Sequence, residues 1–247
     1  MNAAQPLITP GRKTKGRNNI PIKSTDVFKS IVANLEQHKL TTFSVLHIAQ
    51  SNMVQHRRVY DFFNLMTSLG VCKVASKGNL EWIGIDKAET SISDFYDELE
   101  VHALSSNFSL TFNLVSSPSL GNLAYHVIGL FLYLNMETLS LKQISRVFHD
   151  GKSDIRSLER RLYLVLSFLE VINLIKRSVQ VGHYTLHVNR EFMIKKAWEK
   201  RKEAIKISNL VSIESLLSHS DKALIHDAYK YRQRCFFEVM YKYFLNK

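Results

Sequence analysis

Apolar residues recur every three or four positions over much of the chain, a spacing typical of helices that bury one face. The clearest example is the stretch 57–70, in which the apolar side chains fall on one helical face. The opposite face carries Arg57, Arg58 and Asp61, which we expect to point into solvent. Gly70 should end this helix, because glycine readily takes the left-handed conformation that follows many helices.

Two shorter apolar patterns precede this helix, and a hairpin pattern follows it. Helices are predicted over 24–35 and 43–49, whereas 71–83 indicates two strands around a turn. The order helix, helix, helix, hairpin is that of a winged helix, in which the third helix enters the major groove of DNA. The hairpin, or wing, can reach the neighbouring backbone, and Lys73 and Lys77 are placed to contact it. Ordinary surface solvation is the alternative for each lysine.

A second copy of this pattern follows in the chain. Helices are predicted over 123–134 and 139–148, and the stretch 160–176 aligns without gaps with 57–73. A second hairpin is predicted over 174–188. The pattern therefore indicates two winged helices in tandem, and the predicted fold class is mainly α with small β-hairpins, an α+β fold with a helical C-terminal tail.

The predicted organisation has five segments. They are a disordered basic arm (1–23), a winged helix (24–88), an acidic and polar linker (89–117), a second, divergent winged helix (118–190) and a helical tail (191–247). The arm is either a solubilising tail, a phosphate-contacting arm or a nuclear import signal. The helices of the tail either dock on the second unit or pair two chains.

Composition narrows the class of partner. The 247 residues contain 33 Lys and Arg against 22 Asp and Glu, a formal charge of +11, which favours an anionic partner such as nucleic acid or a membrane surface. No apolar run approaches the roughly 20 residues that span a bilayer, so we expect an intracellular protein without a membrane segment. Cys72 and Cys235 lie far apart, which indicates neither a disulfide framework nor a zinc site.

Motifs for catalysis or metal binding are absent from the sequence. Ten histidines are present, but none lies in an HExxH motif or beside cysteines at ligand spacing. His183 and His187 are four apart in a predicted strand, too far along it to bind one metal ion. We find no Gly-rich phosphate loop, nucleophile elbow or paired-carboxylate motif. The sequence predicts no enzyme, no cofactor and no metal.

The motif Arg57-Arg58-Val59-Tyr60-Asp61, followed by Asn64, Leu69-Gly70 and the wing-closing Trp82-Ile83-Gly84, resembles the DNA-binding domain of the E-two-F/DP family of transcription factors. The resemblance implies that Arg57 and Arg58 read guanine edges in a GC-rich duplex. This chemistry is independently sensible, because a guanidinium offers two parallel donors to the two major-groove acceptors of guanine. Asp61 lies within reach to orient the arginines. Tyr60 either donates its hydroxyl to a phosphate or is purely structural.

The second copy departs from this motif. Leu164 replaces the aspartate, so that Arg160 and Arg161 should lose their acidic neighbour and base reading there is open. Asn173 stands at the position of Gly70, and asparagine also tolerates a left-handed cap. The candidate DNA-binding residues are Arg57, Arg58, Tyr60, Asp61, Asn64, Lys73 and Lys77 in the first unit and Arg160, Arg161 and Tyr163 in the second.

Two functional hypotheses follow. The first is a sequence-specific double-stranded DNA-binding transcription factor in the nucleus, for which the resemblance implies control of cell-cycle genes through a GC-rich element. It would act either as one chain with two reading units, or with a second copy or a related dimerisation partner. The alternative is a winged-helix protein-interaction scaffold in which only the first unit, or neither, reads DNA.

Overall fold

The computed structural model describes residues 24–39, 41–114, 117–151, 154–207 and 221–245. The predicted basic arm, 1–23, and the apolar stretch 210–217 of the tail lie outside these ranges.

The first unit has three helices and a three-stranded antiparallel sheet. Its elements are α1 (Ser24–Gln37), β1 (Thr42–Ser44), α2 (Val45–Ser51), α3 (His56–Ser68), β2 (Cys72–Ser76) and β3 (Asn79–Trp82), with strand order β1-β3-β2. The predicted hairpin is present, but its turn is shorter than expected and is formed by Lys77 and Gly78, where Gly78 has a φ of 79°. Strand β1 was not predicted, because three residues are too few to show an alternating pattern.

Two helices connect this unit to the next: α4 (Asp86–His102) and α5 (Phe108–Thr111). The prediction of a linker over 89–117 is therefore wrong. Ile92, Tyr96 and Phe112 are fully or almost fully buried, so α4 and its surroundings belong to the core. The acidic residues of α4 had indicated a solvated connection, but several of them pair with basic side chains far away in the sequence.

The second unit repeats the first element for element. It contains α6 (Leu120–Leu134), β4 (Thr138–Ser140), α7 (Leu141–Phe148), α8 (Ile155–Val171), β5 (Ile175–Arg177) and β6 (His183–Leu186), with strand order β4-β6-β5. Asn173 has a φ of 59°, close to the 74° of Gly70, as expected for two left-handed helix ends. The fold is thus two winged-helix units, each with helices packed on a small antiparallel sheet.

The tail docks onto the rest of the chain. It consists of α9 (Arg190–Ile207), which packs along α4, and α10 (Asp221–Leu245), which packs on α5, α6 and α7. The Arg232 guanidinium of α10 is almost fully buried and donates to the buried Glu100 carboxylate of α4, with N–O distances of 2.6 and 2.7 Å. Of the two alternatives for the tail, the structure shows docking. Lys196 in the charged run of α9 contacts α4, since its Nζ lies 2.9 Å from Asp94 Oδ1.

The two winged-helix units share one apolar core. Phe28 and Phe62 of the first unit and Phe168 of the second form a cluster of rings with centroids 4.7–5.4 Å apart. The Tyr125 hydroxyl of α6 donates to the Ser68 carbonyl at the end of α3, at 2.7 Å. Packing of α1 and α3 against α8 therefore sets the orientation of the two units.

Candidate nucleic-acid interface

Helix α3 is held by one face and open on the other. Val59, Phe62, Phe63 and Met66 are at most 1% exposed, as the apolar pattern predicts. The opposite face carries a set of exposed polar side chains: Arg57, Arg58 and Asn64. A helix fixed in the core in this way can present these side chains to a ligand with little loss of entropy.

Arg58 and Asp61 lie close together on this exposed face. The Arg58 Nη1 atom is 3.5 Å from Asp61 Oδ2, one helical turn along α3. This is the orienting contact that the spacing predicts. The Arg58 side chain is 50% exposed and that of Asp61 25%, so solvent screens the pair and its contribution to stability is small, but it restricts the directions in which the Arg58 guanidinium can point.

Tyr60 is placed differently from the two arginines. Its ring is partly buried against the core and meets the His56 ring edge-on, with centroids 4.5 Å apart. This packing fits the structural role that was one of the two alternatives for Tyr60.

The wing of the first unit is anchored at its base and exposed at its tip. Lys73 on β2 and Lys77 in the turn are exposed. At the base, Trp82 is fully buried and its Nε1 donates to Glu36 Oε1 at 2.9 Å. The same Glu36 oxygen accepts from the Ile85 amide at 2.8 Å. The sequence did not indicate Glu36, because its partners lie in another element far along the chain.

Helix α8, the counterpart of α3, retains an acidic partner for one arginine. The Arg160 Nη2 atom lies 3.8 Å from Asp154 Oδ2, so the prediction that Arg160 loses its acidic neighbour is wrong. The carboxylate comes from the residue that caps α8, since Asp154 also accepts from the Arg156 amide at 3.1 Å. In α3 the corresponding carboxylate, Asp61, comes from the C-terminal side instead.

Arg161 does not lie beside Arg160 at the surface. Its side chain is half-buried and donates to the Pro118 carbonyl just before α6. One residue further along a helix is about 100° further around it, which here directs the side chain towards the neighbouring helix. Of the two candidate arginines of the second unit, the structure therefore exposes Arg160 and directs Arg161 away from it.

Tyr163, the third candidate of the second unit, is 50% exposed. The Arg177 guanidinium of β5 lies 5.8 Å from the centre of its ring. Arg177 Nε also donates to Glu170 Oε2 at 2.9 Å, which holds this guanidinium in place. Hydrogen bonding to that carboxylate offsets the effect of burial, and the pKa of Arg177 is raised.

A groove of about 1760 Å³ separates the exposed faces of the two units, and we call it the inter-unit groove. Its walls are α1 and the start of α3 on one side and α8 on the other. The basic residues that line it are Lys29, Arg58, Arg156, Arg160 and Arg177. The acidic ones are Asp26, Asp154, Glu159 and Glu170, of which Asp154 and Glu170 pair with arginines of the same groove.

The described residues form no metal site, and the Cys72 thiol is not reactive. In the described part of the chain, no cluster of three His, Cys, Asp or Glu side chains could hold a metal ion. His187 is engaged by Lys176, whose Nζ lies 2.9 Å from its Nε2. Burial raises the pKa of the Cys72 thiol to about 12, which keeps it protonated. Across the described ranges, we find no helix with the length and apolar character of a membrane span.

The first unit is similar to a known DNA-binding domain. Residues 23–84 match the E-two-F/DP family winged-helix DNA-binding domain, a domain of DNA-binding proteins and not of enzymes. The match begins at the start of α1 and ends just after β3, so it covers the first unit and not the second. No curated protein matches the chain.

Proposed function

We propose that this protein is a sequence-specific double-stranded DNA-binding transcription factor in which α3 reads base edges. The observation that carries the proposal is the exposed pair Arg57 and Arg58 on a helix whose other face is fully buried, within the segment that matches a DNA-binding domain. A recognition helix needs these two properties, because the core must fix it while its outer face stays free for the groove.

The chemistry of the arginines favours guanine. A guanidinium can donate two parallel hydrogen bonds to O6 and N7 of guanine, and each good pair contributes about 1–3 kcal/mol of discrimination. Asp61 supports this role by holding Arg58 from one side. Asn64 lies further along the exposed face and would contact the duplex beyond the arginines.

The wing and the overall charge support contact with the phosphate backbone. Lys77 occupies the exposed turn of the hairpin, and Lys73 is exposed on the strand that leads to it. The formal charge of +11 adds long-range attraction for a polyanion. Such contacts strengthen binding to any duplex and carry no sequence information directly.

The finer parts of the proposal rest on the family resemblance. They are a GC-rich target, a nuclear location and control of cell-cycle genes. The packing of the two units against each other supports action as a single chain with two adjacent units. Action with a second copy or a related partner remains the alternative.

A second candidate function is a protein-interaction scaffold in which only the first unit reads DNA. The observation in its favour is the second wing, where Val179 and Val181 are exposed to solvent. An apolar wing tip suits a protein partner better than a phosphate. In this case α8 would take no part in DNA binding.

The decisive experiment removes the two arginines of α3. A randomised pool of duplexes is first used to select the sequence that the wild-type chain prefers. Binding of that duplex is then titrated at several salt concentrations with the wild type, Arg57→Ala/Arg58→Ala and a control, Lys230→Ala/Arg234→Ala. The control also removes two positive charges, but from exposed positions of α10.

We expect the α3 variant to lose roughly 30-fold or more in affinity for the selected duplex, and the control to lose much less. The α3 variant should also lose its preference over an unrelated duplex, whereas loss of phosphate contacts alone changes affinity and salt slope equally for all sequences. Undiminished, selective binding by the α3 variant would contradict the proposal. Failure of the wild type to prefer any duplex would favour the scaffold.

A further inference from the structure

We propose that the second unit also contacts the duplex, through an edge of α8 formed by Arg156, Arg160 and Tyr163, which reaches one helical turn further upstream than the residues that alignment with α3 indicates. This inference rests on the proposed function and extends it to the second unit. It differs from the candidates predicted from the sequence, which were Arg160, Arg161 and Tyr163, by including Arg156 and leaving out Arg161.

Helix α8 is longer than its counterpart α3. In the gapless alignment of the two units, His56, the first residue of α3, corresponds to Glu159. Helix α8 begins earlier, at Ile155, and is therefore longer at its N-terminus by one turn, about 6 Å. Asp154 makes this extra turn stable by capping it, whereas Gln55 at the start of α3 makes no side-chain cap.

The extra turn of α8 presents an arginine to solvent. The N-terminal residues of a recognition helix are those that contact base edges. In α8 this turn carries Arg156, which is exposed, while Leu158 packs against the core. Arg156, Arg160 and Tyr163 then follow at spacings of four and three, which places them along one helical face.

The edge of α8 and helix α3 border the same groove. All three side chains of this edge line the inter-unit groove, and Arg58 of α3 lines it from the other side. The side chain of Arg160 is 78% exposed. Arg161 lies outside this edge, because its guanidinium donates to the Pro118 carbonyl. Guanidinium groups from both units thus face one space.

The charges of the inter-unit groove are compatible with an anionic ligand. Three of its four carboxylates are already engaged: Asp154 with Arg160, Glu170 with Arg177, and Glu159 with the Ser145 hydroxyl. The two ion pairs reduce the repulsion that a phosphate would meet. The arginines, in contrast, are solvated on their outer side, so a polyanion can approach them without breaking a buried pair.

Duplex DNA is the ligand that fits both sides of this arrangement. Two helices from adjacent units, held together by packed aromatic rings, present arginines that could follow one major groove or two neighbouring groove segments. The two edges differ in sequence and in the placement of their carboxylates, so the two halves of the bound site should differ. We therefore expect an asymmetric target and not a palindrome.

The test uses the full chain and the duplex selected by the wild type. Hydroxyl-radical footprints and affinities are measured for the wild type, Arg156→Ala/Arg160→Ala, Arg57→Ala/Arg58→Ala and the control Lys230→Ala/Arg234→Ala. A further variant, Arg156→Lys/Arg160→Lys, keeps the charges but removes the planar pair of donors. Urea unfolding of each variant verifies that the fold is retained.

We expect the wild type to protect two adjacent blocks of the duplex. Arg156→Ala/Arg160→Ala should lose protection of one block and at least about tenfold in affinity, while protection of the block bound by α3 persists. The lysine variant should recover affinity but not base preference in the lost block if the arginines read bases. If they contact phosphates alone, the lysine variant should recover affinity, and base preference should be that of the wild type in both variants.

The inference is overturned if Arg156→Ala/Arg160→Ala gives the wild-type footprint and an affinity equal to that of the control. In that case the effect of Arg57→Ala/Arg58→Ala still decides the proposed function separately. If the wild type selects no duplex, the proposed function fails first and the role of α8 fails with it. If the alanine variant is unfolded, the lysine variant carries the test through its base preference and footprint.

Discussion

The rings of Phe28 in α1 and Phe168 in α8 meet edge-on, with their centroids 5.4 Å apart. This contact joins the first winged-helix unit to the second. Phe62 of α3 completes the cluster, so the two exposed helices α3 and α8 are fixed relative to each other by packing and not by a connecting segment alone. The arrangement explains why both helices border one groove.

Replacing Phe168 by alanine should destabilise the chain strongly. Phe168 is only 3% exposed, and truncation of a buried phenylalanine typically costs about 3–5 kcal/mol of unfolding free energy. Urea unfolding followed by circular dichroism measures this loss. Phe192→Ala is the matched control, because Phe192 is 61% exposed and its truncation should change stability by no more than about 0.5 kcal/mol. Equal unfolding midpoints for the two variants would contradict the packing of the units.

The attachment of α10 should depend on Arg232. Its guanidinium donates to both oxygens of Glu100, and Tyr96 and Arg201 also donate to this fully buried carboxylate. Arg232→Met leaves a buried charge with fewer partners, which typically costs about 3–5 kcal/mol. Limited proteolysis should then cut near α10, whereas Arg234→Met, at an exposed position, should leave the pattern unchanged.

Adding Glu100→Gln to Arg232→Met tests the cause of that loss. If the loss of one of its two cationic partners by the buried Glu100 carboxylate is responsible, the double variant should recover part of the lost stability, because the neutral amide costs less to bury. A double variant that is less stable than Arg232→Met would indicate that hydrogen-bond geometry, and not charge, dominates at this position.

The two helix ends offer a direct comparison between the units. Gly70→Ala should destabilise by about 1–2 kcal/mol, because its φ is 74° and the added Cβ would lie 2.9 Å from Ser91 Oγ. Asn173→Gly, at the equivalent end of α8 with a φ of 59°, should be neutral or slightly stabilising. Thermal unfolding of both variants measures the difference, and a tolerated Gly70→Ala would show that the end of α3 relaxes.

Glu36 should make stability depend on pH in the acidic range. Burial acts to raise the pKa of its carboxyl, but hydrogen bonds from the Ile85 amide and the Trp82 indole, together with the nearby Lys39, outweigh this and lower the pKa below its ordinary value. Since the carboxylate form is favoured in the folded state, its stabilising contribution is complete above the unfolded pKa of about 4.3 and is lost as pH falls through the folded pKa.

The pH effect can be isolated with Glu36→Gln, which keeps an oxygen acceptor for Trp82 and Ile85 but does not titrate. We expect the wild type to be more stable than Glu36→Gln at pH 7, and the difference to shrink as pH falls below about 4. Urea midpoints over this range give the difference, in which the other carboxylates cancel. A difference that is constant with pH would show that Glu36 does not carry the effect.

Helix α3 could be predicted because its signals are local. The apolar spacing over 57–70 indicated both the buried face and the exposed arginines, and Gly70 indicated the end. Strands β1 and β4 could not be predicted, because each has three residues and pairs with a strand more than 30 residues away. The acidic pattern over 89–117 was misleading, since partners such as Lys196 and Arg232 lie more than 100 residues further on.

The candidate site shows the same division. Alignment of the units treated Arg161 as the equivalent of Arg58, but packing against α6 directs Arg161 to the Pro118 carbonyl. Asp154 was not recognised as a partner of Arg160, because it lies six positions upstream and outside the aligned stretch. Arg156 was not predicted as a site residue. Its place on α8 depends on where that helix begins, and the contact of the Asp154 side chain with the Arg156 amide, which fixes this start, is visible only in the structure.

The sequence by itself determined the elements with a repeated apolar period, the order of helices and hairpins in both units, and the two exposed arginines of α3. These properties depend on residues within one or two helical turns of each other, so a linear pattern contains them. Only the tertiary structure decided that α4 is core, that the tail docks, and which arginines of α8 border the inter-unit groove. Those outcomes depend on side chains that meet across distant segments, where burial and ion pairing select one partner among many that the sequence allows.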